Sequence, residues 1–168
     1  MSRISVRKAV LEETGLVGQL IRQLAEYECL SNELEIDEVI LSESLFGVAD
    51  DPGPEVLVVE SSGDNRIVGF SLFIHILPST IHIEDLFVSS DRRKIGAGIA
   101  FLSSVAKIAI SRRVKCIEWS CLDWNQPALD FYASLGAQRI FHRVIYRISG
   151  GALAEKTQKY IHSVRNNE

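Results

Sequence analysis

"IHIEDLFVSSDRRKIGAG", residues 81–98, is the stretch whose reading decides the fold. Its first eight residues read as a strand. Strict alternation would set Ile81, Ile83, Asp85 and Phe87 on one face and His82, Glu84, Leu86 and Val88 on the other. With two adjacent carboxylates, one must stand on the core side whichever face is buried. A carboxylate taken out of water needs partners, and its pKa rises. That makes it a candidate base near neutral pH. The strand then runs into Arg92, Arg93, Lys94 and the pair Gly96 and Gly98, and an apolar helix follows. Glycines permit positive φ and close backbone approach. The free N–H groups of a helix start, with the helix dipole, bind phosphate oxygens.

Two familiar phosphate loops fail on this stretch. A P-loop needs Gly-Lys-Ser/Thr, whereas Gly98 is followed by Ile99 and Ala100. A dinucleotide fingerprint needs Gly or Ala where Phe101 stands, and it belongs in an opening strand–helix–strand unit. Glu118 lies where a ribose-binding acid could sit, so nucleotide binding stays as the weaker alternative.

Outward from this stretch, "RISVRKA" (3–9) alternates as a strand. "GLVGQLIRQLAEYE" (15–28) has the apolar spacing of an amphipathic helix, and a second helix is predicted over 36–46 with Asp37 near its start. Strands are predicted at 56–61, 66–76, 81–88 and 115–122, with turns at 62–65 and 77–80. A helix should run from about Gly98 to Arg113. Another covers 126–135, with Pro127 in its first turn and Gly136 at its C′ position. "RIFHRVIYRI" (139–148) is predicted as the last strand or strand pair, and a polar helical tail as 150–168. Three meandering strands followed by strand–helix–strand predict an α/β protein. Its core would be a central mixed β-sheet of six to seven strands, with helices on both faces.

The chain has 168 residues, 46% of them hydrophobic and 24% charged, which is an ordinary globular composition. No apolar run suggests a membrane span, and the opening "MSRISVRKAV" has no apolar core of a secretory signal. The three cysteines, Cys29, Cys116 and Cys121, form no CxxC, so neither a disulfide framework nor a zinc site is expected. The four histidines show no metal spacing. His75 and His82 are expected to face each other across the 77–80 turn. These features predict a cytoplasmic protein without a metal, a membrane or a nucleic-acid partner. Net charge is −4, but residues 23–65 carry twelve Asp or Glu and no Lys or Arg. Such a bipolar chain can draw a cation to one part and a phosphorylated anion to the other.

Asn125 is predicted at the start of the helix in "WNQPALDFY" (124–132). Tyr132 follows seven residues on, nearly two turns, and so looks along the same face. A tyrosine so placed can protonate a leaving group.

Together "LIRQLAEYE", "IVGFSLF", "IEDLFVSSDRRKIGAG" and "WNQPALDFYASLGA" resemble the GNAT family of acetyl-CoA-dependent N-acetyltransferases. The resemblance is to the diamine (spermidine/spermine) and thialysine acetyltransferase branch, and it spans nearly the whole chain. The signature Gln/Arg-x-x-Gly-x-Gly/Ala is met by Arg93, Lys94, Ile95, Gly96, Ala97 and Gly98. The resemblance implies the GNAT fold, a single domain over 1–149, a homodimer, and acetyl-CoA as cosubstrate. It implies that Leu86, Phe87 and Val88 hold the pantetheine arm. Arg93 and the N–H groups from Lys94 to Ile99 would cradle the pyrophosphate, and Asn125, Gln126, Pro127 and Ala128 would complete the cofactor site. Tyr132 would be the general acid for the thiolate. Glu84 would bind and deprotonate the amine through water, with Asp85, the pair Tyr27 and Glu28, and Glu118, Trp119 and Ser120 on the acceptor side. Cys116 and Cys121 would be packing residues, since direct transfer needs no acyl-cysteine.

The implied reaction moves an acetyl group to the primary amine of a small cationic acceptor: a diamine, a polyamine or a thialysine-like amino acid. The alternatives are a protein or peptide amine acetyltransferase and a catalytically silent CoA-binding scaffold. Three departures from the branch stand out. Lys94 replaces its usual glycine, the 75–83 connection is short and lacks Asp-Pro-Trp, and "RIFHRVIYR" replaces an acidic patch.

Overall fold

The computed structural model describes residues 4–47, 53–77 and 79–147. The predicted tail at 150–168 lies outside the described residues. The chain divides after Cys121 into two compact units.

The first unit contains β1 (Ile4–Lys8), α1 (Thr14–Tyr27), α2 (Glu38–Phe46), β2 (Glu55–Ser61), β3 (Arg66–Leu77), β4 (Thr80–Val88), α3 (Ala97–Ser111) and β5 (Cys116–Trp119). The strands form one sheet in the order β1-β2-β3-β4-β5, antiparallel up to β4 and parallel between β4 and β5. This is the expected mixed sheet. Alternation along β2 feeds both faces: Leu57 and Val59 pack with Phe101, Val105 and Ala109 of α3, and Val56 and Val58 pack with Val17 and Leu20 of α1. Burial of both faces is why the middle of β2, residues 56–59, is wholly apolar.

Helix ends follow the sequence closely. Asp37 caps α2, its Oδ1 accepting from the N–H groups of Val39 at 2.8 Å and Ile40 at 3.1 Å. α1 and α3 end in Schellman turns. Leu30 N donates to Ala25 O and Val114 N to Ala109 O, both at 2.8 Å. Their C′ residues, Cys29 and Arg113, sit at φ of 61° and 59°, where glycine is the usual choice.

The sheet has five strands among the described residues rather than six or seven, and β5 covers only 116–119 of the predicted 115–122. The predicted last strand is absent: 139–147 forms no ladder, and Phe141, Ile145 and Tyr146 are exposed. Its apolar residues come in blocks, Ile140-Phe141 and Val144-Ile145-Tyr146, so no single face could be buried by a period of two. In the second unit, α4 (Gln126–Ser134) starts at Asn125 and ends with Gly136 in the left-handed region at φ 78°, both as predicted.

Candidate active site

The alternation expected for β4 breaks at one residue. Leu72 of β3 pairs with Asp85, but Phe73 pairs with Ile83, so Glu84 has no partner. Glu84 is a β-bulge, an extra residue that shifts the pleat. Ile81 and Ile83 therefore face α3, and past the bulge that side passes to Leu86 and Val88. Phe87, and with it Asp85, turns to the α1 side instead, where Phe87 packs with Phe70 and Val17. The expected grouping of Ile81, Ile83, Asp85 and Phe87 on one face is thus corrected by the bulge.

The bulge coincides with a fork. β4 and β5 pair from Thr80 opposite Cys116 to Ile83 opposite Trp119, and no further. From Glu84 to Val88 the β5-side edge of β4 has no ladder partner, and alternate N–H and C=O groups point into the gap. Leu86, Phe87 and Val88 line this open edge. On the other edge β3 approaches closely at Gly69, where a Cβ would lie 2.4 Å from the Phe87 carbonyl oxygen.

Carboxylates collect at the fork on the α1 side. Burial, with the charges of Glu84 and Glu28 adding to it, pushes the Asp85 carboxyl up to about 6. Burial also raises the Glu28 carboxyl. Glu28 is the C-cap of α1, held there by the turn at Cys29, so the helix end aims it at β4. Glu84 is exposed, and its Oε2 lies 3.7 Å from His82 Nε2. Glu118 stands beside His82 across the parallel pair, with Cys116 Sγ 3.7 Å from its Oε1. Trp119 ends the paired stretch and Ser120 follows it, exposed. The first unit thus brings together Glu28, Glu84 and Asp85. Asp85 is the partly buried carboxylate that sequence reasoning could only narrow to one of two.

Beyond β4 the chain makes a basic turn. Lys94 takes φ 64° and Gly96 φ 88°, and α3 begins at Ala97. Lys94 thus holds a left-handed conformation, which explains why glycine suits this position. α2 and α4 carry side-chain caps at their N-termini, but α3 has none and no acidic residue in its first turn. Its first amides receive no side-chain cap, and the same holds for α1. Two of the neighbouring basic residues are engaged elsewhere. Arg92 pairs with Asp64 at 2.8 Å, and Arg93 Nε donates to Val88 O at 3.2 Å.

In the second unit, Asn125 Oδ1 accepts weakly from Ala128 N at 3.4 Å, Pro127 sits in the first turn, and Gln126 Nε2 donates to Asp130 at 2.6 Å. Tyr132 is half-buried in the second turn with its ring 5.3 Å from that of Phe131.

Two expectations are corrected. Cys116 is exposed rather than packed, because it is the first residue of β5 on a surface edge. Cys121 is partly buried, and burial together with Glu28 pushes its thiol up, which disfavours a nucleophilic thiolate. His75 and His82 do not face each other: His75 pairs with Ile81 and His82 with Ile74, which sets them on opposite faces. His75 Nε2 instead lies 2.6 Å from the Arg112 guanidinium at the far end of the sheet, in a cluster where Arg112 also pairs with Glu55, and Lys8 Nζ lies 2.7 Å from Glu55 Oε2. Among the described residues no three His, Cys, Asp or Glu are grouped to hold a metal, and no helix is long and apolar enough to cross a membrane.

A family model described as "Acetyltransferase (GNAT) family" matches residues 15–137. The chain is similar to a thialysine N-epsilon-acetyltransferase of Bos taurus, 31% identical over 172 residues covering 95% of this chain and 100% of that protein. It is similar to an L-ornithine N5-acetyltransferase of Arabidopsis thaliana, 35% identical over 109 residues, covering 62% of this chain and 48% of that protein. Among solved structures, an integron cassette protein from V. cholerae matches with a TM-score of 0.73 at 25% identity, covering 94% of this chain and 99% of that one.

Proposed function

The chain belongs to the GNAT family and is an acetyltransferase, and from that premise we propose that it acetylates the primary amine of a small cationic acceptor. The acceptor class is a diamine, a polyamine or a thialysine-like amino acid, and transfer is direct, within a ternary complex. The observation that carries the acceptor class is the group Glu28, Asp85 and Glu84 at the fork of β4 and β5.

Acetyl-CoA would supply the acyl group as an activated thioester. The fit rests on two features: the open β4 edge over Leu86, Phe87 and Val88, and the uncapped start of α3 behind Lys94, Ile95 and Gly96. Amides of Ala97, Gly98 and Ile99 would take phosphate oxygens, and N–H groups on the open edge would polarise an acyl carbonyl. On the family resemblance, Asn125, Gln126, Pro127 and Ala128 would add cofactor contacts.

An alkylammonium has a pKa near 10.4 and becomes a nucleophile only on losing a proton. Exposed Glu84 attracts the cation and passes its proton through water. Asp85, titrating near 6, is ionised at neutral pH and poised to accept that proton. Glu28 and Tyr27 set the acceptor's depth, and Glu118, Trp119 and Ser120 border it. Tyr132 donates the proton that the departing thiolate needs. The same reading takes the protein to be a cytoplasmic homodimer, on the family resemblance.

A thiol-release assay with acetyl-CoA and a panel of amines tests this reading. Turnover should be best with diamines or basic amino acids. Tight CoA binding without turnover on any amine would instead mark a silent scaffold.

A further inference from the structure

The segment after β4 is stitched to α1 by two side chains spaced four residues apart on each partner. Ser89 Oγ donates to Gln23 Oε1 at 3.3 Å. The Arg93 guanidinium lies over the Tyr27 ring, 4.5 Å from its centroid. Gln23 and Tyr27 share one helix face, so the two contacts form a ladder along it. Arg93 also donates Nε to Val88 O at 3.2 Å, while Arg92 points away to Asp64. One side chain therefore joins the last residue of β4 to the last helical residue of α1. It also opens the basic turn that leads to α3.

We propose that Arg93 is a positioning residue that couples the cofactor turn to the acceptor side by holding Tyr27 and, through the turn at Cys29, Glu28. The proposal rests on the acetyl-transfer reading. A guanidinium has five N–H donors in a fixed plane. Nε serves Val88 and the flat face serves Tyr27, which leaves the outer nitrogens able to meet a phosphate without releasing either. A lysine ammonium is a point charge and cannot do all three. Phosphates on the turn then steady Arg93, Arg93 steadies Tyr27, and acceptor affinity rises. By linkage the acceptor tightens CoA by the same factor.

Arg93→Lys separates this role from simple phosphate attraction, because it keeps the charge and loses the stack. Any loss of CoA affinity in the variant, measured without acceptor, should be smaller than its effect on the acceptor. It should raise the acceptor KM roughly three- to tenfold, with kcat little changed. Tyr27→Leu should raise KM similarly, and the double variant should add nothing further. A second readout needs no turnover: amide exchange of a peptide spanning 20–30 should slow when CoA is added to wild type, and not in Arg93→Lys. Equal slowing in both proteins, or an Arg93→Lys defect confined to CoA affinity, would overturn the coupling. If no amine is acetylated at all, the exchange comparison still decides it.

Discussion

Glu84 and Asp85 are consecutive residues on β4, yet the Glu84 side chain is 61% exposed and the Asp85 side chain is largely buried with its carboxyl raised to about 6. One unpaired residue decides what Asp85 is set against. A regular strand would also have separated them, but it would have turned Asp85 into the apolar layer under α3. The bulge turns it toward Glu28 instead.

Asp85 should cost the fold stability at working pH. Its folded pKa, about 6, lies above the ordinary 3.8, so the native state binds the proton more tightly than the unfolded chain. The Asp85 contribution is then most favourable below about pH 4, falls as pH rises to about 6, and levels off. Glu28, also raised, acts in the same direction. Asp85→Asn should raise neutral-pH stability by up to about 3 kcal/mol, flatten that slope, and lower kcat by roughly 10²-fold. Denaturation across pH, paired with kinetics, measures both. An unchanged slope in the variant would show that Asp85 is not the titrating group.

Glu28 and Glu84 should leave different kinetic signatures. Glu28→Gln removes attraction present in ground and transition states alike, so it should mainly raise the acceptor KM. Glu84→Gln should lower kcat and shift the alkaline limb, because proton removal is disturbed. Added salt should weaken use of a diamine more than of a monoamine. A neutral aromatic amine turning over best, with no salt effect, would discard the acidic funnel and leave acetyl transfer standing.

Lys94 carries backbone strain at φ 64°. Lys94→Gly should stabilise the protein by about 1 kcal/mol by removing the Cβ penalty. The gain is read from urea midpoints at constant m-value. Destabilisation would show that the Lys94 side chain contributes more than its conformation costs.

Gly69 lets β3 approach β4, and an added Cβ would meet the Phe87 carbonyl at 2.4 Å. Backbone, not a flexible side-chain tip, must then move. Gly69→Ala should cost about 2 kcal/mol or more and raise the acetyl-CoA KM, since Phe87 lies on the open edge. A wild-type KM in a destabilised protein would separate that edge from cofactor binding.

Tyr132→Phe should lower turnover by roughly 10²-fold and leave acetyl-CoA affinity nearly unchanged. Single-turnover kinetics with CoA binding measured in parallel checks it. Wild-type turnover where chemistry limits the rate would remove Tyr132 from the acid role.

Much of this was legible in the sequence. Apolar spacing located α1 and α3, Asp37 and Asn125 marked helix starts, and Gly136 marked an end. The glycine turn after β4 marked the start of α3. The bulge was not legible, because its signal is a pairing partner and not a residue type: "IHIEDLFV" alternates plausibly in either register. The His75–Arg112–Glu55 cluster was hidden for the same reason, since it joins segments far apart in sequence. The strand expected at 139–148 failed because clustered apolar residues mimic a strand's composition without its period.

Glu84 occupies a peculiar position in the length of β4. Excising it would leave Ile83 followed by Asp85, and the pleat would then place every remaining side chain on the face it already occupies. Removing any one residue from 86 to 88 would instead misplace the residues between it and the bulge. β4 is thus a regular strand with one residue spliced in, and that residue is a carboxylate at the fork. A one-codon deletion could leave the core intact while erasing the acid and the local twist that parts β4 from β5. Evolution could switch such a site off, or on, by length alone.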